Sequence, residues 1–205
     1  KRDRSSRFKQ NIFIGVYLLI CTIIFCYGSA GAAQQINLAA GRPYEFFPAP
    51  NYDYCTDEGD FTDLTDGIYG RCLWTAKSTV GWNNTGEATI IIDLQEERDI
   101  DEIAVRTVEG LHAGVNFPHE ITFMVSLDNK IYEEVGRWSS KEIDPKSITS
   151  QGNNIDNLRI AISGLKVRGR YVLINVKIKG NFFFTDEIEV MGYLKSTNEI
   201  GRAHV

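Results

Sequence analysis

No catalytic signature runs through this 205-residue chain. It has no G-x-S-x-G elbow, no H-E-x-x-H helix, no P-loop and no dinucleotide fingerprint, so the chemistries those motifs serve lose their sequence support. Carboxylates are plentiful, yet nothing in their spacing singles out a pair for glycoside hydrolysis. Basic charge is also short: 22 Lys and Arg stand against 27 Asp and Glu, a net charge of −5. That balance argues against nucleic acid and against anionic membrane surfaces as partners, while leaving neutral glycans open. Sustained helical periodicity is missing beyond the first 32 residues, which excludes a helical bundle.

Those first residues read as an export signal. Lys1 to Gln10 is basic, Ile12 to Tyr27 is apolar or small, and Gly28-Ser29-Ala30-Gly31-Ala32 offers a small-residue cleavage site. The apolar run falls short of the roughly 20 residues of a spanning helix, so cleavage after position 32 is expected rather than a membrane anchor. At the other end, Ile200-Gly201-Arg202-Ala203-His204-Val205 looks like the in-frame translation of a sequencing adapter. The expectation is a truncated tail over 196–205, with a catalytic domain lost downstream. Without residues 1–32 the chain keeps 17 basic and 26 acidic residues, a charge of −9. About 165 residues remain, enough for one domain with a substantial core.

Cysteine is scarce. Of four, Cys21 and Cys26 lie in the leader, leaving Cys55 and Cys72. An even pair in an exported protein favours a disulfide. A bridge here would close a loop near the 15-residue case, for which chain entropy gives about 3 kcal/mol. The alternative is buried free thiols, and geometry decides between the two.

What the chain does have is alternation. Ala88-Thr89-Ile90-Ile91-Ile92-Asp93-Leu94, Glu102 to Arg106, Glu120 to Ser126, Ile131 to Trp138, Leu158 to Ile162, Tyr171 to Ile178 and Glu187 to Tyr193 read as strands. In the sixth, Val172, Ile174, Val176 and Ile178 share one face opposite Asn175 and Lys177. Roughly eight strands joined by long loops predict an all-β fold, two antiparallel sheets packed face to face as a jelly-roll sandwich over 33–195. Ser139 to Asp156 is polar and reads as a surface excursion.

Two constellations carry chemistry. The loop from Cys55 to Gly67 holds Asp57, Glu58, Asp60, Asp63 and Asp66. A hard cation takes six to eight oxygens from carboxylates and turn carbonyls, and a Gly-punctuated acidic turn offers both. The spacing of Asp57, Gly59 and Asp60 is not that of an EF-hand, and a solvated acidic loop is the plainer alternative. Around this loop cluster Tyr44, Phe46, Phe47, Tyr52, Tyr54, Trp74 and Trp82. Pyranose rings stack their C–H faces on aromatics while their hydroxyls seek polar neighbours. Trp74 and Phe46 read as core; Trp82, opening the loop Trp82-Asn83-Asn84-Thr85-Gly86, and Tyr54 fit either duty. His112 is placed to hydrogen-bond a sugar hydroxyl.

Taken in order, Asn37-Leu38-Ala39, Leu64-Thr65-Asp66-Gly67, Leu73-Trp74, Ile90 to Leu94, Val125 to Lys130, Arg170-Tyr171-Val172 and Asp186-Glu187-Ile188-Glu189-Val190 resemble the galactose-binding-like sandwich of discoidin (coagulation-factor C-type) domains and family 32 carbohydrate-binding modules. Pro50-Asn51-Tyr52 through Trp82 is similar to a variant at the front of secreted bacterial proteins that act on polysaccharides. The resemblance implies a structural calcium, held here by Asp66 and Glu187. Cys72 stands near where the family often has a hydroxyl or carbonyl ligand. Ligand contacts are implied only as far as the loops Tyr52–Tyr54, Arg71–Trp82, His112–Phe117 and Asn181–Phe184.

The resulting expectation is a secreted, non-catalytic module that binds a polysaccharide or glycoconjugate. Trp82 and Tyr54 would stack a sugar, and Arg71, Lys77, His112 and Asn116 would supply hydrogen bonds. A protein-adhesion module is the second reading, and an enzyme the third.

Overall fold

The computed structural model describes residues 34–193; the expected leader with Cys21 and Cys26, and the tail over 196–205, lie outside them. Among the described residues nine strands form, all paired antiparallel: β1 (Gln35–Asn37), β2 (Tyr44–Phe47), β3 (Val80–Asn83), β4 (Glu87–Glu109), β5 (Glu120–Ser126), β6 (Glu133–Ser139), β7 (Ile148–Gly152), β8 (Ile155–Lys177) and β9 (Phe182–Tyr193).

The architecture rests on the 23-residue strands β4 and β8, which pair with each other and serve both sheets. The N-terminal half of β4, Glu87 to Asp93, lies between β2 and the Tyr171–Lys177 half of β8, and β5 and β6 continue that sheet. Its C-terminal half lies between β9 and the Asp156–Ser163 half of β8, with β1 and β3 beyond β9 and β7 beyond β8. Two register shifts separate the halves, between Asp93 and Arg98 and between Ile100 and Glu102. Such irregularities bend a strand and raise its twist. Gln95 at the first (φ 67°) and Gly164 and Lys166 at the second (φ 72° and 51°) take left-handed conformations there. The Asp93 carboxylate holds the first bend, accepting from Gln95 N at 2.7 Å and from Arg170 Nε and Nη2 at 2.8 and 2.9 Å.

The sequence reading cut each of these strands in two, because the polar residues at the bends interrupt the alternation. β1, β2 and β3 are too short for a periodic signal, and β7 lies in the stretch whose polarity reads as a surface excursion. Elsewhere the alternation is realised: Ala88, Ile90, Ile92 and Leu94 are buried while Thr89, Ile91 and Asp93 are half exposed, and Val172, Ile174 and Val176 face the core. Ile90, Ile121, Phe123 and Ile174 of one sheet meet Ile103, Val105, Ile160, Ile188 and Val190 of the other in a single cluster. The fold is therefore an antiparallel β-sandwich. Ser139 to Asp156 makes two single-turn 3-10 segments, Ser140–Glu142 and Pro145–Ser147, then β7 and the hairpin into β8.

Candidate functional site

Residues from the predicted loops converge at one end of the sandwich as a row of rings. Tyr54 lies 5.6 Å from Tyr52 between centroids, Tyr52 lies 4.9 Å from Phe184, Phe184 lies 6.3 Å from Trp74, and Trp74 lies 6.0 Å from His112. Phe182 stacks on Phe184 at 6.1 Å and meets Tyr52 edge-on. Phe184 is the buried hub, packed with Cys55, Cys72, Val108 and Val115. The ends of the row reach solvent: Tyr54 is 70% exposed and His112 is exposed. Two glycines let the row form. A Cβ on Gly81 would stand 2.6 Å from the Phe184 ring, and one on Gly110 would stand 2.5 Å from the Trp74 ring.

His112 lines a cleft of about 280 Å³ with Glu109, Leu111, Asn154 and Asp156. Arg71 is exposed nearby, its carbonyl accepting from Gln151 Nε2 at 2.6 Å and Asn157 Nδ2 at 3.4 Å on the β7–β8 side. Asn116 is half buried and donates to the Gly114 carbonyl at 3.2 Å. An apolar platform with donors and acceptors at its rim is thereby assembled from five separate chain segments.

Three expectations are corrected. Trp82 is not on an exposed loop: it sits in β3, is 0% exposed, stacks on Phe183 at 5.6 Å, and its indole N–H donates to the Pro48 carbonyl at 2.9 Å. A ring enclosed on both faces stacks no sugar. Lys77 is exposed, but its ammonium is held by the Thr56 carbonyl at 3.1 Å and lies 3.7 Å from Asp57 Oδ2, which assigns it to the acidic loop instead of the ring row. Cys55 and Cys72 are free and buried. Their thiols turn to different carbonyls, Tyr52 O at 3.7 Å and Phe184 O at 3.8 Å. Burial pushes the Cys55 thiol up to about 12 and the Cys72 thiol well above its usual value, so both stay protonated and unreactive.

The sequence reading placed Trp74 in the core; it is half buried and bridges Phe184 to His112. Glu109, Asn154 and Asp156 were also missed. The Asn153-Asn154 pair, both at positive φ in the β7–β8 turn, is the signal that marked this polar rim.

Of the two residues expected to hold calcium, Asp66 is exposed and its Oδ1 accepts from Ile68 N at 2.7 Å, whereas Glu187 is buried. Glu187 is 1% exposed, its Oε2 accepts from Gly67 N at 3.2 Å, and its Oε1 is buried with no hydrogen-bond partner. Burial pushes its carboxyl up to about 8, opposed by the Gly67 N–H and aided by the negative charges of Asp66, Glu189 and Asp186. The neighbouring buried carboxylate, Asp186, has Arg106 Nη1 at 3.2 Å. Among the described residues Glu187 has no such cation partner. The orphaned oxygen beside an acidic turn fits calcium, which prefers carboxylate oxygen.

No family model matches the chain, and no curated protein matches it. Solved structures do. An f-lectin from striped bass (Morone saxatilis) serum superposes with a TM-score of 0.55 at 18% identity, covering 78% of this chain and 50% of the lectin. A mutant of the lectin binding domain of lectinolysin, complexed with Lewis b, gives 0.51 at 15% identity, over 79% of this chain and 99% of that domain. A fucose binding module of Streptococcus pneumoniae gives 0.50 at 16% identity, over 78% and 99%. This chain has the galactose-binding-like, discoidin-type fold. At these identities the likeness concerns the fold, and function has to be argued from the site.

Proposed function

We propose that this protein is an exported carbohydrate-binding module that holds a glycan without turning it over. The observation that carries the reading is the row Tyr54–Tyr52–Phe184–Trp74–His112, which ends in solvent on one side and in a polar cleft on the other. The exposed face of Tyr54 provides the stacking surface, and His112, Arg71, Asn116, Asn154 and Asp156 surround the platform with hydrogen-bonding groups. Fold neighbours that bind fucose or Lewis b support the class, and make fucosylated glycans the first to test. Targeting a covalently linked catalytic domain to polysaccharide is the role that suits such a module.

Calcium belongs to this reading as a structural ion. Asp66 and Glu187 would hold it, and its charge would compensate the buried Glu187 carboxylate. The backbone bond from Ile188 N to Leu64 O at 2.8 Å already ties β9 to the same turn. The test is a glycan array probed with the full protein and with Tyr54→Ala. Binding to a defined glycan family that falls at least about tenfold in the variant, at unchanged melting temperature, supports the proposal. A folded protein that binds no glycan would sink it and point to protein adhesion.

A further inference from the structure

We propose a second calcium site in the acidic loop, formed by Asp57, Asp60 and Asp63 and distinct from the Asp66–Glu187 pair. Asp57 caps the 3-10 turn Glu58–Phe61, Asp60 lies within it, and Asp63 follows its C-cap Thr62. One oxygen from each lies within 4.8 Å of the other two, and among the described residues no further carboxylate joins the group. Calcium–oxygen bonds of about 2.4 Å let two ligands of one ion stand at most about 4.8 Å apart, and each pair of these oxygens meets that limit.

An acidic cluster alone would carry nothing, because acidic loops are commonly solvated. Here the middle member is not solvated. Asp60 is 1% exposed, and neither of its carboxylate oxygens has a hydrogen-bond partner. Asp63 Oδ2 and Thr56 Oγ1 beside it are buried and unpartnered as well. Leaving a carboxylate in that state is costly unless a charge compensates it. Among the described residues the one cation paired with the cluster is Lys77, 3.7 Å from Asp57 Oδ2 at the rim and not bonded to Asp60. Three carboxylates against one ammonium leave two negative charges, which a divalent ion balances.

The backbone is shaped to leave room. A Cβ at Gly59 would stand 2.9 Å from Asp57 Oδ1 and 3.1 and 3.2 Å from the two Asp63 oxygens. Glycine at this position therefore lets the outer carboxylates close over the chain. Asp57 is itself fixed by accepting from Gly59 N at 2.7 Å. Tyr44 fastens the far side: its hydroxyl donates to the Asp60 carbonyl and accepts from Leu64 N at 3.1 Å. The ion would thus brace the loop that leads away from Tyr54 and returns to the Asp66 turn.

The test is calcium titration of the chelator-stripped full protein by calorimetry, with terbium luminescence sensitised by Tyr44 as a second readout. Asp60→Asn and Asp57→Asn are compared with Glu187→Gln. The expected result is a binding component weakened at least about tenfold in both Asp variants and retained in Glu187→Gln, since affinity follows ligand charge. Asp60→Asn is nearly isosteric and removes a buried charge, and Asp57→Asn changes an exposed residue, so at least one variant folds. Calcium binding that survives intact in both variants, or a wild-type protein that binds no calcium at millimolar concentration, would overturn the site.

Discussion

Tyr54 and Trp82 offer similar apolar faces, and their surroundings give them opposite duties. Tyr54 projects from the loop between β2 and β3 with one ring neighbour, whereas Trp82 is closed in by Phe46, Phe183 and the Pro48 carbonyl. Trp82→Ala should therefore cost about 3–5 kcal/mol of stability in chemical denaturation, through a cavity and lost contacts. Tyr54→Ala should stay within about 0.5 kcal/mol of wild type, as exposed substitutions do. A stable Trp82→Ala protein would contradict the burial. The cysteines make a parallel case at this scale. With both thiols free, the melting temperature is expected to be the same with and without reductant, and a drop under reductant would show a bridge.

At the scale of the element, β4 and β8 matter most, because their shared bend makes two sheets from one ribbon. Asp93 and Arg170 clamp it. The Arg170 hydrogen bonds hold the Asp93 carboxyl below its usual value, helped by the Gln95 N–H and opposed by burial. The native state then binds fewer protons than the unfolded chain near the usual Asp value. The stabilisation is present above about pH 4 and fades as pH falls through the lowered native value. Since the pair is part exposed, it is worth about 1 kcal/mol or less. Asp93→Asn should melt below wild type at pH 7, and the difference should close toward pH 3. A difference that stays constant with pH would mean the clamp works through shape instead of charge.

For the whole molecule, the two acidic sites lie on one loop and beside one strand, so a cation held at either would link its binding to stability. An ion that binds only the folded state adds about 2.7 kcal/mol at a hundredfold excess over its dissociation constant. Stripping calcium with a chelator should lower the melting temperature by several degrees and weaken glycan binding with it, because the loop from Cys55 to Gly67 follows directly on Tyr54. Differential scanning calorimetry with added chelator and then excess calcium checks this. A melting temperature indifferent to both would remove calcium from the account.

Much of this was legible in the residue order. Strict alternation in Tyr171–Lys177 needs only the period-two geometry of an extended chain, and the apolar-rich Glu120–Ser126 reads as a strand from its composition, so those strands and the sandwich followed from local pattern. Tyr52, Tyr54 and Trp74 were also visible as rings gathered around the acidic loop, whereas the loops of His112 and Phe182 were implied by the family resemblance. What remained undecided depended on partners far along the chain. Trp82 is buried because β3 pairs with β9, a strand about a hundred residues away, and Phe183 arrives on its face. Lys77 turned to Asp57 and Thr56, and the thiols of Cys55 and Cys72 turned to separate carbonyls, through packing around Phe184 that no spacing encodes. Alternation sets which way a side chain points from its own strand; which strand lies against it is set by the lowest free energy of the whole assembled core.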